Sequence, residues 1–127
     1  MRTAINPGWD HFERYSFSPA VVTDGWLFVS GLTGIEPGAP PGTIVQQLDI
    51  IFRRLREVLQ SAGCEFTDVV RTREYITTTD GYRETDHVRR RYFQKPFPAA
   101  TGVIVAGLLR PGAVIELDAD ARVPGVT

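Results

Sequence analysis

Residues Val114 to Val123 alternate without a break, with Ile115, Leu117, Ala119, Ala121 and Val123 on one side of an extended chain and Glu116, Asp118, Asp120 and Arg122 on the other. A strand of this kind has one face for a core and one for something polar. It demands a sheet that the chain's own elements cover on one side, while the other side meets solvent, a cleft or a second copy.

The covering elements are helical. Thr43 is placed to cap a helix in which Ile44, Leu48, Ile51, Leu55, Leu59 and Ala62 recur every three or four residues until Gly63 ends it. Asp49, Arg53, Arg54, Arg56 and Glu57 occupy the opposite, solvated face. A second helix is expected over Gly81 to Phe93, capped by Asp80, with Tyr82, Val88, Tyr92 and Phe93 as its buried stripe. The run from Lys95 to Pro98, with two prolines, stops it.

The remaining strands follow from turn chemistry and alternation. Tyr15–Ala20 and Trp26–Gly31 flank the turn-forming Thr23, Asp24 and Gly25, which predicts a hairpin. The segment from Glu36 to Gly42, rich in proline and glycine, is a loop. Val69–Thr77 puts Val69, Arg71, Arg73 and Tyr75 on one side and Val70, Thr72, Glu74 and Ile76 on the other. Neither side is purely apolar, so this strand should border a polar cleft or interface. Thr101–Ala106 supplies a fourth strand before the alternating last one. The expected architecture is α+β: one domain over residues 1–127, a mixed sheet with two helices on one face.

Size makes the uncovered face informative. A chain of 127 residues, 43% hydrophobic, buries only part of its apolar surface alone, so a bare sheet face is a candidate subunit interface. The net charge of -1 lacks the basic excess of a dedicated nucleic-acid binder. Arg89, Arg90 and Arg91, with Arg83 nearby, read as a solvated helix face, because consecutive residues spread around a helix and Glu84 and Asp86 offset part of the charge. Cys64 is the only cysteine, which excludes an intrachain disulfide and a cysteine-based metal cluster and points to a reducing compartment. Met1–Trp9 contains no signal-peptide-like apolar run, and no apolar stretch reaches the roughly 18 residues that cross a bilayer. These features predict a cytoplasmic protein acting on small molecules, with no membrane partner and with nucleic acid disfavoured as one.

Familiar catalytic motifs are missing. There is no Walker-type phosphate loop, GxGxxG, HExxH or GxSxG. His11 and His87 lie far apart, without partners at metal-ligand spacing, and read as structural. Cys64, following Gly63 at a helix end, reads as a small half-buried residue rather than a nucleophile. Neither a metal nor a cofactor is expected.

An ordered set of short segments is more telling than any one motif. It comprises Tyr15 and Ser16 followed by Ala20 and Val21; Phe28 to Gly31; Ser61 to Cys64; Asp68 to Val70; Tyr92 and Phe93; Phe97 to Ala99; and Ile115 to Ala119. In this order the chain resembles the RidA (YjgF/YER057c/UK114) family. The resemblance implies a chorismate-mutase-like fold, a homotrimer, and a small-molecule ligand held in each intersubunit cleft. It also implies a cofactor-independent, hydrolytic deaminase of reactive enamines or imines. Glu116, from pattern alone an outward polar position, matches the family's cleft glutamate and becomes the catalytic candidate. Tyr15, Ser30, Gly31, Asp86, Ala100, Thr101 and Gly102 match substrate-binding positions.

Departures from the family pattern shape the functional expectation. An arginine that clamps the substrate carboxylate follows the Pro-Ala pair in the deaminase subgroup, but here Pro98 and Ala99 are followed by Ala100. Alanine cannot form a bidentate, charge-assisted contact. Gly102 stands where many deaminases carry a cysteine, Leu32 where a glutamine often follows the Ser-Gly pair, and Asp86 where the second helix carries an asparagine. The expected cleft is wider and more apolar, for an imine, enamine or related intermediate larger than the usual imino acids or less dependent on a carboxylate. Arg14, Arg71 or Arg73 could replace the clamp, and a non-catalytic, ligand-binding or regulatory trimer is the alternative function.

Overall fold

The computed structural model describes residues 1–125. Six strands form one sheet: β1 (Thr3–Ile5), β2 (Ala20–Thr23), β3 (Trp26–Thr33), β4 (Val69–Ile76), β5 (Ala99–Ile104) and β6 (Ile115–Arg122), in the order β1-β2-β3-β6-β4-β5. All neighbours pair antiparallel except β4 and β5, which are parallel. Helices α1 (Ile44–Ser61) and α2 (Asp86–Tyr92) complete the α+β architecture expected from the sequence.

The alternating last strand sits at the centre. Ile115, Leu117, Ala119 and Ala121 are fully buried beneath α1, together with Leu27, Leu48, Ile51, Phe52, Leu55 and Val58. The opposite sheet face carries Glu116, Asp118 and Asp120 beside Tyr75, Arg73 and Phe28, and no element among the described residues covers it. Helix α1 begins with a capping box: Gln46 N–H donates to Thr43 Oγ1 at 3.2 Å, and Thr43 N–H donates to Gln46 Oε1 at 2.8 Å.

Two polar side chains of α1 hold the loops that leave β3 and lead into β6. Gln47, fully buried, donates through Nε2 to the carbonyls of Gly42 (2.9 Å) and Gly112 (3.1 Å), and its Oε1 accepts from Val114 N–H at 3.0 Å. All its principal hydrogen-bonding groups are engaged just before β6 starts, which fixes where Glu116 emerges. Arg54 donates to the carbonyls of Thr33 (2.6 Å) and Ile35 (2.7 Å) at the exit of β3. The chain approaches α1 so closely there that a Cβ on Gly34 would lie 2.1 Å from the Gln47 carbonyl oxygen.

Four local expectations need correction. Tyr15–Phe17 is bent chain, and the hairpin strand starts only at Ala20. Its paired residues, Ala20 with Val29 to Thr23 with Trp26, are those the turn at Asp24 and Gly25 can close. Asp80 does not cap α2: Tyr82–Thr85 form a 3-10 turn entered through Gly81 in the left-handed region (φ 75°), and the α-helix follows directly. Strand β5 runs Ala99–Ile104, earlier than expected, because its parallel register sets Ala99 against Arg71 and Ile104 against Ile76. Val69 belongs to the covered face, since an irregularity between Val69 and Arg71 puts Val69 in the core and exposes Val70. The short strand β1 carried no sequence signal.

Candidate active site

Glu116 lies on the open face of β6, paired with Thr33 of β3 on one side and Tyr75 of β4 on the other. Strand β3 bulges beside it. Val29 pairs with Ala119 and Leu32 with Leu117, so Ser30 and Gly31 occupy a stretch with one residue more than the partner strand. A Cβ on Gly31 would lie 2.2 Å from Glu116 Oε2 and 3.0 Å from its Cδ. Only glycine leaves room for the carboxylate in this position.

No Lys, Arg or His among the described residues forms an ion pair with Glu116. Burial pushes its carboxyl above the usual carboxylate range, and the neighbouring Asp118 charge adds to the rise. The rest of the acidic row shares one cation. Arg73 Nε stands 2.7 Å from Asp118 Oδ1 as a charge contact, its Nη1 and Nη2 donate to Asp120 at 3.2 and 3.3 Å, and Tyr75 Oη donates to Asp118 Oδ2 at 2.8 Å. One carboxylate is therefore left without a cation and free to exchange protons, while its neighbours are paired with Arg73. Asp118→Asn is expected to lower the Glu116 pKa, since it removes a like charge and leaves Arg73 less engaged. A ¹³C titration of the Glu116 carboxyl reads this directly, and an unchanged midpoint would contradict the electrostatic account.

The other expected site residues fall into two groups. Ser30 accompanies Glu116: its N–H donates to the Pro19 carbonyl (2.9 Å) and its hydroxyl to that of Ser18 (2.6 Å), tying residues 15–19 to the bulge. Tyr15 belongs to this tied segment, in an aromatic cluster with His11, Phe12 and Phe17, and its ring is parallel to that of Phe17 at 5.2 Å. On β5 the register sets Ala100 beside Thr72 and Gly102 beside Glu74, on the helix-covered side of the sheet. Thr101 pairs with Arg73 and faces the open side, but lies two strands from Glu116, about 10 Å across the sheet. Asp86 sits on the exposed surface of α2, where Arg90 Nε donates to it at 2.8 Å.

Glu116 with Gly31 and Ala100 with Gly102 thus face opposite sides of one sheet. A single copy cannot close a pocket around both groups. The two grooves flanking the start of α1, about 480 and 450 Å³, include none of these residues.

Of the arginines considered as replacement clamps, Arg73 is committed to Asp118 and Asp120. Sequence reasoning missed a buried network under β5. Arg89 Nε and Nη2 donate to the two oxygens of Glu74 at 2.8 and 2.6 Å, and Tyr82 Oη donates to Glu74 Oε1 at 2.7 Å. The surroundings of Gly102 are consequently more polar than its neighbours in sequence implied. The signal was present in Glu74, a carboxylate on the side of β4 that also carries Thr72 and Ile76. Arg89 also departs from the solvated face expected for the arginine run.

The family model described as endoribonuclease L-PSP matches residues 11–123. The chain is 32% identical to the 2-iminobutanoate/2-iminopropanoate deaminase of Capra hircus over 108 residues, 83% of this chain and 78% of that protein. It is 31% identical to the RutC family protein YjgH of Escherichia coli (strain K12) over 128 residues, 97% of this chain and 96% of that one. Rv2704 of Mycobacterium tuberculosis, a solved structure of the YjgF/YER057c/UK114 family, superposes with a TM-score of 0.82 at 33% identity, covering 97% of this chain and all of that one. The matched family model, the identity to these relatives and the shared fold together show that this chain belongs to the RidA (YjgF/YER057c/UK114) family.

Proposed function

We propose that the protein is a cofactor-independent hydrolase of reactive imines or enamines, working as a homotrimer with its sites in the clefts between subunits. The observation that carries this reading is Glu116: a carboxylate with no ion-pair partner among the described residues and a raised pKa, cradled by a glycine where any side chain would push it aside. The deaminase names of relatives such as the Capra hircus protein support the reaction class.

The chemistry needs one group that both gives and takes a proton. Protonated Glu116 donates to the imine nitrogen, which makes the carbon electrophilic. As carboxylate it then accepts a proton from the attacking water, forming the carbinolamine. Returning that proton to nitrogen makes ammonia the leaving group, and Glu116 takes up the carbinolamine hydroxyl proton as the C–N bond breaks and the carbonyl forms. One water is consumed, ammonia leaves, and Glu116 ends in its starting state.

Geometry supports a site shared between copies, as the proposed trimer requires. Glu116 and the β5 positions can line one pocket only when two copies bring opposite sheet sides together, and the uncovered face with the half-exposed Phe28 supplies an apolar surface for such contact. RNA cleavage fits poorly, because each arginine of the dense run is paired: Arg89 with Glu74, Arg90 with Asp86 and Arg91 with Asp49. No helix among the described residues is long and apolar enough to cross a membrane.

With alanine at position 100, the substrate should be larger than the common imino acids or free of a carboxylate. The test is ammonia release from imines generated in situ. Wild type should favour carboxylate-free or bulkier imines, and Ala100→Arg should raise kcat/KM for small imino acids by about tenfold or more. Binding without turnover across the whole panel would contradict the hydrolase and favour the non-catalytic ligand-binding trimer.

A further inference from the structure

Gly102 opens onto one polar atom. A Cβ built there would meet only Tyr82 Oη, at 3.4 Å, within 4 Å. Ala100, the next residue on the same side of β5, is exposed and offers a methyl group. The half-site on β5 is therefore a shallow trough with a phenol oxygen at its wall.

That oxygen has a fixed polarity. Its hydrogen is committed to Glu74 Oε1, and Glu74 is 5% exposed. A phenol that has donated its hydrogen can still accept. Burial, the Glu74 hydrogen bond and the Glu74 charge all push the Tyr82 hydroxyl up from its ordinary pKa, so it stays neutral near pH 7. Arg89 holds the arrangement from behind. It is bidentate to Glu74, donates through Nη1 to Thr85 Oγ1 at 2.7 Å, and places Cζ 5.1 Å from the Tyr82 ring centre. A carboxylate brought to this wall would meet an acceptor backed by another carboxylate, with the nearest cation already engaged. A hydroxyl or amino group would meet an acceptor aligned to receive it.

We propose that the β5 half of the cleft selects substrates bearing a hydrogen-bond donor, a hydroxyl or amino group remote from the imine, and that the Tyr82 hydroxyl beside Gly102 is the specificity-determining acceptor. This rests on the imine-hydrolase reading and names its substrate class: donor-bearing imines in place of imino acids.

The experiment separates recognition from turnover by using stable ketones, the carbonyl counterparts of the imines. Binding of a chain-terminal hydroxy ketone and its methyl isostere is measured by calorimetry on wild type, Tyr82→Phe and Gly102→Ala. The hydroxy ketone should bind wild type about tenfold more tightly or better, the worth of one satisfied hydrogen bond. Tyr82→Phe keeps the ring and the Glu74–Arg89 pair, and should bring the ratio close to one. Gly102→Ala places its methyl at ordinary contact distance from Oη, so it should fold normally while covering the oxygen and weakening the hydroxy ketone selectively. Equal affinities in wild type, no binding of either ketone, or a preference that survives Tyr82→Phe would overturn the proposal. Imine hydrolysis on the same preparations reports on Glu116 separately. Turnover without a hydroxyl preference would sink only the donor inference, whereas a hydroxyl preference without turnover would sink the hydrolase.

Discussion

Glu116→Gln is expected to lower imine hydrolysis by about 10²- to 10⁴-fold, the usual contribution of a positioned general acid–base. Glutamine fills the same space against Gly31 and keeps a hydrogen-bonding end, so the loss isolates proton transfer from shape. The same variant makes a second, opposite prediction for stability. The folded Glu116 carboxyl titrates above its ordinary value, first because of burial and then because of Asp118. Its ionised form therefore opposes folding, a cost absent below the ordinary carboxylate range that grows as pH rises through the raised value. Glu116→Gln should match wild type in denaturant melts under acid conditions and exceed it near neutrality. A variant that is both inactive and less stable at neutral pH would show a structural rather than a chemical role.

Arg89→Ala is expected to destabilise the protein by about 3 kcal/mol, because it leaves the Glu74 carboxylate buried with only the Tyr82 hydroxyl as partner. Replacing both ends of the pair, Glu74→Leu with Arg89→Met, should recover most of the loss, since no buried charge remains. Denaturant unfolding at one fixed protein concentration reads both, as subunit association also contributes to apparent stability. A loss below about 1 kcal/mol for Arg89→Ala would mean that water reaches Glu74 and that the network is a surface feature.

What could be read from residues alone tracks how local the physical signal was. The strict alternation of β6 and the three-four spacing of α1 are local patterns, and both elements formed where the periodicity put them. The extent of β5 depends on a partner far away in sequence, and the start of β2 and the origin of α2 are set by bent chain and a 3-10 turn that carry no periodicity, so pattern reading placed their ends wrongly. Glu116 was identified through resemblance, since an outward acidic residue on an alternating strand looks like its neighbours Asp118 and Asp120. What sets it apart is tertiary: Arg73 and Tyr75 bind the other two, and Gly31 approaches this one. Two bland readings differ in outcome. Cys64 is buried, its thiol pushed up by burial and then by Asp68, as suits a packing residue. The arginine run hid Arg89, because a sequence does not show which of three adjacent arginines turns inward.

Subunit complementation tests the central claim most directly, that Glu116 of one copy acts with the β5 side of another. Glu116→Gln chains carry an intact β5 wall, and Gly102→Trp chains, with that wall blocked, carry an intact Glu116. Each should be nearly inactive alone. After co-refolding in equal amounts, random assortment pairs an intact Glu116 with an intact β5 wall in about a quarter of the clefts, and activity should return to about a quarter of the wild-type value. A mixture no more active than its two components, with mixed oligomers confirmed by native mass spectrometry, would contradict a site shared between subunits.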